Sequence, residues 1–103
     1  METETRVYTR YSILTEDINR GGVARLCREH RVDCTLYAGV GLFNGNIEES
    51  LTVVHLAPLE ANVREEIKAL ARDIKAENNQ REIWITEETV TLKKLLDNVP
   101  AIG

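Results

Sequence analysis

The fold is decided by residues 34–56, Cys34-Thr-Leu-Tyr-Ala-Gly-Val-Gly-Leu-Phe-Asn-Gly-Asn-Ile-Glu-Glu-Ser-Leu-Thr-Val-Val-His-Leu56. Two β-rich runs flank Asn44-Gly45. Asn-Gly takes the positive φ angles of a type I′ turn, whose twist matches that of paired strands. The stretch therefore reads as a long central hairpin. In its first arm Cys34, Leu36, Ala38, Val40 and Leu42 share one face, and Tyr37, Gly39 and Gly41 the other. Two glycines on one face suggest a bulge or a close approach. The second arm runs from about residue 47 to 56. Its Val53-Val54 pair breaks the alternation, as in a strand covered on both sides.

Working outward, residues 6–14 alternate: Val7, Thr9, Tyr11 and Ile13 against Tyr8, Arg10, Ser12 and Leu14. Period two with β-branched and aromatic residues is a strand. Thr15-Glu16-Asp17 offers capping oxygens. A helix is expected from about Gly22 to His30, with Val23, Leu26 and Cys27 inward. The Gly21-Gly22 pair costs helix stability or lets the helix approach the sheet closely. Val32-Asp33 forms the return turn. Beyond the hairpin, Ala57-Pro58-Leu59 breaks the chain. Val63, Ile67, Leu70, Ala71 and Ile74 then recur at three- and four-residue steps, marking a helix over residues 60–78. Residues 82–86 read as the last strand, while residues 89–96 fit a short helix or a peripheral strand. Loose tails are expected at about 1–5 and 97–103.

The order β-α-β-β-α-β implies an α+β, ferredoxin-like domain spanning residues 1–103: a four-stranded antiparallel sheet with two helices on one face. The other face, carrying Tyr8, Tyr37 and Trp84, is left apolar. Such a face marks an interaction surface, and the simplest occupant is a second copy of the chain, in a dimer or trimer. A different protein is the alternative partner.

Composition excludes several functions. Hydrophobic residues at 43% and charged residues at 29% describe an ordinary globular chain. Thirteen basic and 17 acidic residues give a net charge of −4. That field repels a phosphate backbone, so no nucleic-acid partner is expected. No apolar run approaches the roughly 20 residues that span a bilayer. The acidic start Met1-Glu-Thr-Glu-Thr-Arg6 lacks the features of a secretory signal, so a cytoplasmic chain with no membrane partner is expected. Cys27 and Cys34 read as reduced thiols, each a small hydrophobe. Neither their spacing nor Glu48-Glu49 and Glu87-Glu88 matches a metal site, and no cofactor is expected.

The candidate chemistry is sparse. Arg20, Arg25 and Arg28, with Arg31, cluster on the first helix and suit an anionic ligand. Gly39-Val40-Gly41 is flanked by strand on both sides, so it lacks the helix N-terminus of a phosphate loop. With His55, a residue type suited to acid–base work, the arginines and the two glycines make up the candidate ligand site. No catalytic residue is assigned. Tyr37, Phe43, Asn44 and Ile47 are the candidate partner contacts at the hairpin.

The hairpin segment 35–51, with its aromatic strand, Gly39-x-Gly41-x-x-x-Gly45 and the acidic run into Ser50-Leu51, resembles a pattern in small phage and bacterial proteins. That resemblance implies an accessory role and brings no activity. The element order is also similar to that of the PII and CutA-type signalling proteins. It implies a trimer, with nucleotide held between subunits in the PII case. The tip Phe43-Asn44-Gly45-Asn46 is shorter than the PII loop and has no basic residue. The sequence thus favours a non-enzymatic, homo-oligomeric binding or adaptor module. A PII-like sensor of a nucleotide or small anion is the second reading, and a hydrolase-like enzyme using His55 the third.

Overall fold

A computed structural model describes residues 2–96. The expected tail at 97–103 lies outside the described residues. The order is β1 (Glu2–Glu16), α1 (Arg20–Glu29), β2 (Thr35–Phe43), β3 (Asn46–Pro58), α2 (Arg64–Glu77) and β4 (Trp84–Leu96). The strands form one antiparallel sheet in the order β2-β3-β1-β4. This is the ferredoxin-like topology expected from the sequence. Both helices pack on one face, where Tyr11, Ile13, Leu51 and Val53 meet Val23, Leu26, Ile67, Leu70 and Ile74.

The hairpin turns at Asn44 (φ 51°) and Gly45 (φ 78°), the two left-handed residues of a type I′ turn. Pairing runs without interruption from Thr35↔Val54 to Phe43↔Asn46. The glycines therefore mark no bulge. Gly41 instead leaves room for the Phe43 ring, which a Cβ at position 41 would meet at 2.5 Å.

Several boundaries differ from the sequence reading. β1 starts at Glu2, so residues 2–5 pair with β4 rather than hanging loose. Residues 89–96 are strand, continuous with Trp84. Thr15 and Glu16 stay in β1, and Asn19 caps α1, its side chain accepting from the Gly22 N–H at 3.1 Å. Neither glycine of the first helix brings it onto the sheet: Gly21 faces open space and Gly22 faces the Asn19 side chain.

Each helix ends in the same way. Arg31 (φ 56°) and Asn79 (φ 51°) are left-handed. The Val32 N–H donates to the Cys27 carbonyl and the Gln80 N–H to the Lys75 carbonyl, both at 3.0 Å. These are Schellman closures, which satisfy the last carbonyls of each helix.

The strands outrun the helices. At about 3.3 Å per residue, the 15 residues of β1 span about 50 Å, which matches the longest dimension of 50 Å. At 1.5 Å per residue the 14 residues of α2 cover only about 21 Å. The sheet therefore continues past the helices as two ribbons. One is the outer half of the β2–β3 hairpin. The other pairs residues 2–7 of β1 with residues 91–96 of β4. They leave the body at opposite ends of the sheet, because β1 and β3 run antiparallel and overlap only from Tyr8↔Pro58 to Glu16↔Ser50. The radius of gyration, 16.6 Å, accordingly exceeds the roughly 13 Å of a compact domain of this length.

Candidate functional site: the open sheet face and the hairpin base

Among the described residues, nothing covers the face opposite the helices. It presents Tyr8, Leu14, Tyr37, Val54, Leu56, Trp84, Val90 and Leu92, all side chains whose register sets them on that face. Tyr37 is 58% exposed and Trp84 64%. Only Ser12, at the centre, is buried on that side. Val54 belongs to this open face. The irregular alternation at Val53-Val54 thus reflects an apolar outer surface rather than a second covering layer. Two ion pairs of the described residues lie on this surface: Arg10 Nη2 with Glu88 Oε1 at 2.6 Å, and Arg6 with Glu4 on the outer ribbon.

Where the hairpin leaves the body, this face folds into a cleft of about 470 Å³. Phe43, Leu14 and Trp84 provide its apolar walls, and Ser50, Arg81 and the carboxylates of Glu16, Glu48, Glu49 and Glu82 much of its polar lining. A small network supports the cleft from behind. Asn78 Nδ2 donates to Thr15 Oγ1 at 3.0 Å and to Gln80 Oε1 at 3.3 Å. The Thr15 hydroxyl donates to Gln80 Oε1, and Gln80 Nε2 to the Glu82 carbonyl. Asn78 is buried, and its Oδ1 has no partner. These bonds fix the end of α2 and the start of the chain into β4 against β1.

The sequence-derived site residues fall into separate places. Arg20 pairs with Asp17 at 2.5 Å. Arg25 bridges Glu29 (2.8 Å) and Glu77 (2.9 Å). Both guanidiniums are exposed and their carboxylates hold them firmly charged. Arg28, in the last turn of α1, faces a different cavity that also exposes Cys27 and Cys34. All three arginines sit on the helix side of the sheet. Gly39 and Gly41 lie on the opposite, open face, so the fold does not bring the arginines and glycines together. His55 is on the helix side of β3, and its Nδ1 bonds the Asp33 carbonyl at 2.7 Å, latching the loop before β2 to the sheet.

The partner-contact residues converge better. Tyr37 and Phe43 share the open face, and Asn44 forms the tip. Ile47 projects from the other side of the same ribbon, beside Leu42. Val40 (69% exposed) and Leu42 (72%) belong with them, although the sequence places them on the core face. The signal was length: a nine-residue arm cannot be covered by a ten-residue helix less than half as long in ångströms per residue.

His30 is the other polar centre. It caps the C-terminus of α1, with Nδ1 at 2.7 Å from Glu66 Oε1 and Nε2 at 2.6 Å from Asp73 Oδ2. The two carboxylates, Asp73 foremost, hold the imidazole charged above its usual range. At the start of α2, Arg64 makes a bidentate pair with Glu87 of β4, at 2.9 and 2.7 Å. Among the described residues, no cluster of three or more metal-ligating side chains occurs, and no helix is long and apolar enough to cross a membrane.

No family model matches the chain, and no curated protein matches it by sequence. Solved structures do. The apo form of CPII, a nitrogen regulatory PII-like protein from Thiomonas intermedia K12, superposes with a TM-score of 0.61 at 10% identity, covering 91% of this chain and 100% of that one. CPII bound to ADP, AMP and bicarbonate gives 0.59 at 9% identity, with 90% and 100% covered. A phage SAM lyase in complex with S-methyl-5′-thioadenosine gives 0.60 at 10% identity, with 84% and 90% covered. At these identities the likeness is one of fold: the chain shares the ferredoxin-like architecture of a PII-like protein and of a phage lyase.

Proposed function

We propose that this protein is a homo-oligomeric binding module that works through its open sheet face and its hairpin. One observation carries the reading: a four-stranded sheet with an apolar, aromatic face that nothing among the described residues covers. Exposed surfaces of that kind are interaction sites in soluble domains. The two ribbons support it further. A two-stranded ribbon is only marginally stable alone in water, and a neighbouring copy would supply the missing packing. The two ribbons differ in sequence and leave at opposite ends, which suits a closed ring as well as a two-fold dimer. Replacing Tyr37 and Trp84 together by Ser tests the reading by sedimentation velocity. The wild type should sediment as an oligomer and the variant as a monomer. An unchanged assembly would reject the open face as the interface.

A second reading is favoured by the cleft at the hairpin base. It is walled by Phe43 and Trp84 and open on the same face, so a second copy would close it. In this reading the cleft takes a nucleotide or a related small anion at the subunit junction. Solved neighbours of the same fold hold ADP, AMP and S-methyl-5′-thioadenosine. Arg81 is then the cation for the ligand, set against the four carboxylates of the same lining, in place of the α1 arginines across the sheet. ADP or AMP should raise the melting temperature by mass action, and Arg81→Ala should reduce that shift. No shift with either nucleotide would remove the reading. His55 Nδ1 is engaged by the Asp33 carbonyl, and among the described residues no side-chain nucleophile is hydrogen-bonded to its ring, so nothing there favours the hydrolase reading.

A further inference from the structure

The two cysteines carry chemistry that self-association does not use. The Schellman closure at Arg31 reverses the chain directly after α1 and returns Cys34 to the cavity that Cys27 also lines. Both thiols are free. They share one cavity of about 320 Å³ with Arg28, Val32 and Asp33, open to solvent past the exposed Arg28 and Asp33. Cys27 forms its buried end, and Cys34 is half-buried, with its Sγ donating to the Val32 carbonyl at 3.4 Å.

We propose that Cys27 and Cys34 are a peroxide-reactive dithiol, which hydrogen peroxide or an organic hydroperoxide converts to an intramolecular disulfide. The roles of the two thiols differ. The neighbouring Cys34 thiol foremost, and the His30 imidazole one turn away, lower the pKa of Cys27 against the opposing effect of its burial. Cys34 is held protonated by the neighbouring Cys27 and by burial. Cys27 is therefore the attacking sulfur. Its thiolate attacks one peroxide oxygen, the O–O bond breaks, and Cys27 becomes a sulfenic acid while hydroxide leaves. The Cys34 sulfur then attacks the Cys27 sulfur, the S–O bond breaks, and water leaves with the Cys34 proton. In sum, two thiols and one hydrogen peroxide give one disulfide and two waters. The bond ties the end of α1 to the residue before β2, and so fixes the entry of the hairpin strand.

The inference does not depend on the oligomeric state. The reduced chain would be treated with a small excess of hydrogen peroxide, then read by free-thiol titration and intact mass without reductant. The expected result is loss of both thiols, a monomer mass lower by two hydrogens, and full reversal by dithiothreitol. In Cys34→Ser, Cys27 should stop at a sulfenic acid that dimedone traps. In Cys27→Ser, Cys34 should react about tenfold more slowly or less. Circular dichroism of both variants checks that they remain folded. Addition of oxygen atoms without loss of hydrogen, a disulfide between chains, or thiols that persist under peroxide would each overturn the proposal. Equal rates in the two single variants would overturn the assignment of Cys27 as the attacking sulfur.

Discussion

Protonation of His30 should couple the stability of the fold to pH. The imidazole bridges Glu66 and Asp73, which lie seven residues apart on α2, and so clamps the end of α1 to its neighbour. Its side chain is 15% exposed, while the two carboxylates are 50% and 55% exposed. Half-exposed ion pairs contribute about 0.2–1 kcal/mol each. The cation also lies at a helix C-terminus, where the dipole favours it. Together the charged clamp should contribute about 1–2 kcal/mol. The folded-state pKa is raised. The unfolded chain protonates near the ordinary value of about 6.5. The contribution is therefore fully present below that value and is lost as pH rises through the higher folded pKa. The test is urea unfolding of wild type and His30→Gln at intervals from mildly acidic to mildly alkaline pH. Subtracting the variant removes the titration of the thiols and chain termini. The stability difference should be largest on the acid side and fall by about 1–2 kcal/mol across the window, equivalent to roughly 4–16 °C in melting temperature for a domain of this size. A difference independent of pH, or one that grows with pH, would refute the clamp.

Three further outcomes follow from the same geometry. Ile74→Ala removes a side chain with no exposed surface between α2 and the sheet, and should cost about 2–5 kcal/mol by chemical denaturation. Gly21→Ala meets open space and should stabilise the protein by about 0.5–1 kcal/mol. Gly22→Ala should show no such gain, because the new Cβ displaces the Asn19 side chain from its cap, worth about 1 kcal/mol. The emission of Trp84, the chain's one tryptophan, should shift to the blue as concentration rises and copies cover the open face. Emission that stays at the wavelength of an exposed indole at every concentration would count against that coverage.

The parts of the fold that the sequence announces are those where burial or backbone geometry imposes a pattern. The Asn44-Gly45 turn was legible because its two positive φ angles demand those residues. The stripe Val63, Ile67, Leu70, Ala71 and Ile74 was legible because α2 buries one side only. The ribbons were not. Residues 2–5 and 89–96 face water on both sides, so no alternation is selected, and pairs such as Lys93-Lys94 and Leu95-Leu96 read equally as helix. Thr15-Glu16-Asp17 misled as a cap because these oxygens are used elsewhere: Thr15 in the Asn78 network and Asp17 by Arg20. The placing of Cys27 and Cys34 on one cavity was hidden for another reason. It depends on a left-handed Arg31, a position where glycine or asparagine is the usual signal. At the equivalent turn after α2, Asn79 gives that signal.

The solution mass of the protein, measured by light scattering over a wide range of concentration, tests the central reading most directly. Self-association through the open face predicts two or three times the chain mass of 11.7 kDa, with Tyr37→Ser/Trp84→Ser returning to a single chain. A wild-type mass of one chain at the highest concentration would contradict it.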